Sequence, residues 1–309
     1  MPLTNTEESV IKGVNMNNTA VMTDTNSGIT PSQAERFGIY LVPMPVLVNE
    51  KIYFEGVNLT HGQLYSMMKE GAELTTSQPD VSTITGMWDD ILRTHDDLVY
   101  IPMSSGLSGS LSTAKALAAD YNGRVRVADT HRISVTMLHC ALDAVFLAKQ
   151  GRNAEEIVQI LEETAFDSVI YLGVDTLKYL RKSGRVTAGA AAVASILNIK
   201  PILITEGGKF DTFAKVRGLK ACKEKLIETG IKELEGRFAK FDREHLRVST
   251  AGTFETAEDE ESWRAQVQEA FPQFRVEYDK LSCSIACHTG IGSLGIAVYS
   301  VLHDYTEIK

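Results

Sequence analysis

The sequence predicts an α/β protein of two domains: a doubly wound parallel-sheet domain at the N-terminal side, then a second α/β domain with a mixed sheet. Three observations carry that expectation. Short apolar strands alternate with helices through polar loops over the first half of the chain. The Gly207-Gly208 turn between residues 200–205 and 209–214 has the composition of a β-hairpin, which brings antiparallel pairing into the second half. The chain has 309 residues, enough for two domains of roughly 150 residues each. The expected division is a polar leader over 1–18, a first domain over 19–165 and a second over 166–309.

The elements follow in order. Residues 19–22 form a short strand that ends in the polar cluster 23–28. Thr30 caps a helix with Pro31 at its first position, and Gly38 closes it. Residues 40–48 read as one strand whose prolines make it an edge or irregular strand, and Asn49-Glu50-Lys51 turns it into a hairpin with 52–54. Thr60 caps the next helix, the polar loop 75–79 follows, and Met87, Trp88, Ile91 and Leu92 mark another helix. Strand 98–103, loop 104–110, helix 112–121, strand 125–128 and the apolar helix 135–149 complete the first domain's pattern. Asn153 caps a helix over 154–164 that leads into the second domain. There the expected strands are 167–174, 200–205, 209–214, 245–251, 274–280 and 295–302. The expected helices are 177–182, 188–197, 218–238 and 258–270.

Composition narrows the function. A net charge of −9 repels phosphate backbones, so nucleic acid is excluded as a general partner. No segment is apolar over the length a membrane helix needs, and the leader lacks the apolar core of a signal peptide, so a cytoplasmic protein is expected. Four cysteines without a C-x-x-C pair are read as reduced thiols, although Cys283, Cys287 and His288 lie close enough to raise a soft-metal site.

The most informative loop is Ser104-Ser105-Gly106-Leu107-Ser108-Gly109-Ser110, where an apolar strand meets a helix N-terminus. Glycines there turn backbone N–H groups inward, the helix dipole favours an anion, and serine hydroxyls add donors without charge. The loop is an anion cradle for phosphate or carboxylate, or else an ordinary capping turn. It lacks the G-x-S-x-G spacing of a nucleophile elbow. Neither a G-x-G-x-x-G turn opening a helix after a strand nor a Gly-Lys-Ser/Thr motif occurs, which argues against a stand-alone dehydrogenase or kinase. The loop Thr75-Thr76-Ser77-Gln78-Pro79 offers hydroxyls and an amide. The Gly-rich turn His288-Thr289-Gly290 serves either as a second lip of the anion site or as a plain connection. Arg181, Lys182, Arg185, Lys215 and Arg217 form either a solvated face or a local basic patch on an acidic chain.

Taken in register, several segments resemble the DegV family of bacterial fatty-acid-binding proteins. They are Thr23-Asp24-Thr25, Thr76-Ser77-Gln78-Pro79, Ser104 to Ser110, the run from Asp175 to Arg185, the run from Leu197 to Leu203, Lys215-Val216-Arg217-Gly218 and His288-Thr289-Gly290. The resemblance covers roughly 19–302, with Ile291 standing where the family usually has proline. It implies a lipid-binding protein rather than an enzyme, with a long-chain fatty acid as ligand and no cofactor or metal. It further implies a fatty-acid carboxylate held by Thr76, Ser77, Ser108, Gly109, His288 and Thr289. The bound acid would be presented to a separate ATP-dependent fatty acid kinase, with Arg181, Arg185 and Arg217 facing the kinase or the acyl phosphate, which feeds phospholipid synthesis. The alternative is a self-sufficient enzyme acting on a small acyl or phosphorylated substrate through the 104–110 loop. Helix 135–148 and the stretch 190–197 are candidates to line the acyl tunnel, although apolar helical stripes are more often plain core.

Overall fold

The computed structural model describes residues 17–192 and 198–303. Most of the expected leader, the end of the expected 188–197 helix and the last six residues of the chain lie outside the described residues. The first half runs β1 (Thr19–Asp24), α1 (Pro31–Phe37), β2 (Ile39–Val42), β3 (Pro45–Val48), β4 (Lys51–Phe54), α2 (His61–Lys69) and β5 (Leu74–Thr76). It continues through α3 (Val81–Ile91), β6 (Asp97–Ile101), α4 (Ser110–Ala118), β7 (Val125–Val127), α5 (Val135–Lys149) and α6 (Ala154–Glu163). The second half comprises β8 (Ser168–Gly173), α7 (Lys178–Ser183), α8 (Ala188–Ala191), β9 (Ile199–Thr205), β10 (Asp211–Arg217) and α9 (Gly218–Glu235). After these come β11 (Leu246–Gly252), α10 (Ala257–Ala270), β12 (Glu277–Lys280), α11 (Cys283–Thr289) and β13 (Leu294–Ser300).

Both expected sheets are present. The first is parallel, with strand order β2-β1-β6-β7. The second, β10-β9-β8-β13-β11-β12, is antiparallel except for the parallel pair β11–β12. Helices cover both faces of the parallel sheet. Trp88 and Ile84 of α3 and Leu111 of α4 pack on one face against Met22, Leu98 and Tyr100. On the other face lies α5, which is buried nearly all round, as a helix apolar on every side must be. Its Cys140, Ala141 and Ala144 share a core with Val21, Val99 and Ile101 of the parallel sheet and with Ala297 and Tyr299 of the mixed sheet. The far face of the mixed sheet is covered by α9 and α10, through Leu226 and Trp263.

The strand expected over 40–48 is two strands in two sheets. Pro43 donates no ladder hydrogen bond and ends β2. The chain turns at Met44, whose N–H donates to Thr25 Oγ1 at 3.0 Å. β3 then joins β4 in the expected hairpin and also pairs with β5, making a third, three-stranded antiparallel sheet. The start of the expected 75–79 loop is therefore strand. This small sheet and α2 pack on α11, where Val46 and Leu74 of the sheet and Leu64 of α2 meet Cys283, Ala286 and Cys287.

The expected turn carrying His288 is likewise a helix. Ser282 caps α11 by accepting from Ile285 N–H, and Gly290 ends it at φ 83°. A Cβ at Gly290 would also press on the Tyr179 ring.

Candidate functional site

Two loops leave the parallel sheet side by side at the carboxyl ends of β1 and β6, the crevice where open α/β sheets hold ligands. The buried Asp24 ties them together. Its carboxylate accepts from Asn26 N–H at 2.8 Å and from Met103 N–H at 2.9 Å. Burial nevertheless pushes its pKa up to about 6. Beyond Met103 the chain folds over Ser104, whose carbonyl accepts from Leu107 and Ser108 N–H. Ser108 Oγ accepts from Ser110 N–H at 3.2 Å and lies 2.9 Å from Ser110 Oγ, so its own proton is available to a ligand or to that hydroxyl.

Facing this loop is one side of α11, with Ser284, Ile285, His288 and Thr289, while Cys283 and Cys287 face the small sheet. Pairing of Thr76 with Val46, and the period-2 alternation from buried Leu74, bring Thr76 to α11. Its Oγ1 lies 2.8 Å from His288 Nε2. Burial and the nearby Arg185 charge lower the His288 pKa to about 4, so the imidazole is neutral at pH 7. Arg185 arrives from the segment after α7, its Nε donating to Leu107 O at 3.3 Å and its Nη1 to Ser183 O. The backbone of Phe210 pairs on both sides of Val186: Phe210 N–H donates to Arg185 O and Thr187 N–H to Phe210 O, each at 2.9 Å.

These groups surround a head cavity of about 140 Å³ that opens at a mouth. Thr76, Ser77, Gln78, Ser108, Gly109, Arg185, His288 and Thr289 line it, and among the described residues no acidic side chain does. Ile133, Phe210 and Ile285 also line a second, much smaller cavity of about 30 Å³. Apart from Ser134, every side chain lining that tail cavity is apolar, among them Ile170, Leu172 and Leu281. A donor-rich chamber thus adjoins a hydrocarbon one through three shared apolar residues.

The family model described as "Uncharacterised protein, DegV family" matches residues 18–301. The chain belongs to the DegV family. It is 30% identical over 282 residues to a DegV domain-containing protein of Deinococcus radiodurans, covering 90% of this chain and 97% of that one. It is 31% identical over 214 residues to Protein DegV of Bacillus subtilis, covering 68% and 76%. Among solved structures, it superposes on a DegV family protein from Thermus thermophilus, described by its fatty acid binding, with a TM-score of 0.82. Identity is 26% and coverage 92% of this chain and 100% of that one. DegV from Bacillus subtilis, described as a fatty acid binding protein, gives a TM-score of 0.79 at 26% identity, covering 92% and 99%.

In this DegV chain, all six residues assigned by resemblance to the carboxylate border the head cavity. Ser77 and Gly109 are exposed at its mouth and Thr289 is buried. The three arginines separate. Arg185 lines the cavity, Arg181 sits one turn back on α7 outside its lining, and Arg217 is exposed at the end of β10. Of the proposed tunnel helix, Val135 alone reaches the tail cavity and the rest is core or faces outward. Ala190 is buried in the core, and residues 193–197 lie outside the described residues.

Sequence reasoning missed Asn26 and Ser284. Asn26 is 1% exposed and borders the cavity; its Oδ1 accepts from Ser284 Oγ, while its Nδ2 makes no hydrogen bond of ordinary length and lies near enough to the Asp24 carboxyl to favour its charged form. Its place directly after Asp24-Thr25 at a strand end was the available signal. Ser284 lies one helical turn before His288, a spacing that becomes visible once 283–289 is a helix.

The soft-metal grouping of Cys283, Cys287 and His288 does not converge, because His288 faces Thr76 and the cysteines face away. Among the described residues, Glu55, His61 and Cys283 bring their ligand atoms within 4.8 Å of one another. Other bonds already engage them: Glu55 accepts from Cys283 N–H at 2.8 Å, and His61 Nε2 lies 2.9 Å from Leu281 O. Burial pushes the Cys283 thiol well up, away from the thiolate a metal requires. All four cysteines are free and buried. Among the described residues no helix is long and apolar enough to cross a membrane.

Proposed function

We propose that the protein binds a long-chain fatty acid, with the carboxylate in the head cavity and the acyl tail in the cavity behind it. The observation that carries this reading is the contact between the two cavities across Ile133, Phe210 and Ile285. One is rich in donors and holds an arginine; the other is hydrocarbon. Each buried methylene contributes about 0.8 kcal/mol, which the entropy of fixing the chain partly offsets. A buried carboxylate is costly unless fully hydrogen-bonded, and Ser108, Arg185, Asn26 Nδ2 and one member of the Thr76–His288 pair supply the donors. The fatty acid binding described for the relatives from Thermus thermophilus and Bacillus subtilis supports the same ligand class.

The protein acts as a carrier without a catalytic centre of its own. It presents the carboxylate to a separate ATP-dependent fatty acid kinase, and the acyl phosphate feeds phospholipid synthesis. Support comes from the mouth, where Ser77, Gln78 and Gly109 are exposed beside the carboxylate donors. Arg181 and Arg217 are assigned to the kinase or the acyl phosphate. A self-sufficient enzyme would need a base on Ser108, and the groups bonded to Ser108 Oγ are the Ser110 hydroxyl and N–H.

The test is mass spectrometry of organic extracts of the purified protein, followed by uptake of added palmitate or oleate. A stoichiometric fatty acid is expected. Finding none, together with no uptake, overturns the reading.

A further inference from the structure

One wall of the tail cavity is polar where its other side chains are hydrocarbon. Ser134, 4% exposed, lines the cavity just before α5, and its hydroxyl donates to Asp279 Oδ2 at 2.6 Å. Asp279 belongs to β12 and lines a broad outer groove bounded by α1, α5 and β12. Val135 lines both the tail cavity and that groove. The inner cavity and the outer groove are therefore neighbours, separated by Ser134, Val135 and Asp279. Phe37, Leu138 and Leu142 give the groove an apolar floor, while charged side chains, among them Arg36, Arg243, Arg247, Arg275 and Glu277, line the rest of it.

The partition is tightly specified. Ser134 is held at φ 56° and ψ −142°, a sparsely populated conformation for a residue with a side chain. Its N–H donates to Asn26 O at 2.8 Å, which fixes it to the turn bordering the head cavity. Gly28 lies against the other side of the Asp279 carboxyl, and a Cβ there would collide with it. Burying a hydroxyl and a carboxyl in an apolar wall costs free energy that an aliphatic pair would not. As a barrier to hydrocarbon, however, a hydrogen-bonded polar pair is effective, since a methylene that parts it leaves both groups unsatisfied.

We propose that the Ser134–Asp279 pair is the partition that confines the acyl chain, so that it limits the longest chain enclosed, and that the groove behind it takes the distal methylenes of longer chains once the pair is removed. This inference rests on the fatty-acid reading and deepens it, by naming what limits the ligand class.

The experiment compares dissociation constants for palmitate and for the longer behenate in the parent protein, in Asp279→Ala and in the Ser134→Gly/Asp279→Ala double variant. Glycine suits the positive φ at 134, so the double variant retains the backbone; urea midpoints check the fold of each. Opening the partition is expected to improve behenate relative to palmitate by about tenfold, the worth of roughly two newly buried methylenes. An unchanged ratio in both folded variants overturns the partition and leaves fatty-acid binding standing. A parent protein that binds neither acid overturns the fatty-acid reading itself.

Discussion

Thr76→Val probes the carboxylate site with little else disturbed. Valine is nearly isosteric with threonine and suits a strand, so β5 keeps its pairing with β3. The change deletes the Oγ1 that lies 2.8 Å from His288 Nε2, and with it one hydroxyl of the head cavity. A hydrogen bond to a charged partner contributes about 1.5–3 kcal/mol, and each 1.4 kcal/mol is tenfold in affinity. Palmitate should therefore bind roughly tenfold to a hundredfold more weakly. Ser108→Ala removes the facing hydroxyl and should weaken binding by a similar factor. Calorimetric titration at neutral pH measures both, with thermal unfolding as the control for the fold. Palmitate methyl ester supplies the complementary test, because it keeps the tail and removes the charge. Parental affinity in both variants, or an ester that binds as tightly as the acid, would refute the carboxylate assignment.

Two further outcomes follow from the same geometry. The His288 pKa is lowered from 6.5 to about 4 in the folded protein, so between those values the unfolded chain binds more protons. Its contribution is fully present above pH 6.5 and is lost as pH falls, by about 2 kcal/mol between pH 7 and pH 5. Asp24 and Asp279, whose pKa values are raised to about 6 and about 7, contribute with the opposite sign. The measurement is therefore the difference in urea stability between the parent and His288→Gln, and a difference that does not change with pH counts against a desolvated neutral imidazole. Arg181→Ala should lower acyl phosphate formation by a partner kinase more than it lowers palmitate affinity, since Arg181 lies outside the cavity lining. Equal loss of both would place it in the ligand site.

Local signals in the sequence located elements well, and non-local ones poorly. The first helix was legible to the residue because Thr30, Pro31 and Gly38 act within one turn of its ends. Helix α5 was equally plain, its apolar run bounded by Gly151. Pro43 marks a break between β2 and β3, but nothing local shows that the two strands enter different sheets. The seven-residue α11 hid behind its Gly-rich exit, although the cap at Ser282 was there to read. The meeting of Thr76 with His288, 212 positions apart, has no local signature at all, and the family resemblance alone brought them together. The resemblance assigns Arg185 to the kinase or the acyl phosphate, and its hydrogen bond to the Leu107 carbonyl, which brings it to the cavity, has no local signature either.

Asp24 accounts for how such distant loops come to share one cavity. Its two oxygens accept from Asn26 and Met103 N–H, closing the Asn26 turn and the 103–109 loop onto a single group. Both partners donate, so an amide in its place would turn an N–H towards one of them. Asn26 passes the constraint on: its carbonyl receives Ser134 N–H and its Oδ1 receives the Ser284 hydroxyl. One hydrogen-bonded chain therefore reaches from β1 to both α5 and α11, and leaves Asn26 Nδ2 over. A carboxylate entering the cavity meets donors short of an acceptor rather than a completed ion pair. Arg185 offsets its charge while spending N–H groups on Leu107 and Ser183. A guanidinium free to clasp both oxygens would hold the anion more tightly and make it a poorer nucleophile. On the proposed function, hydroxyl and amide donors near an exposed mouth would hold it while leaving an oxygen free to react, as presentation to a kinase requires.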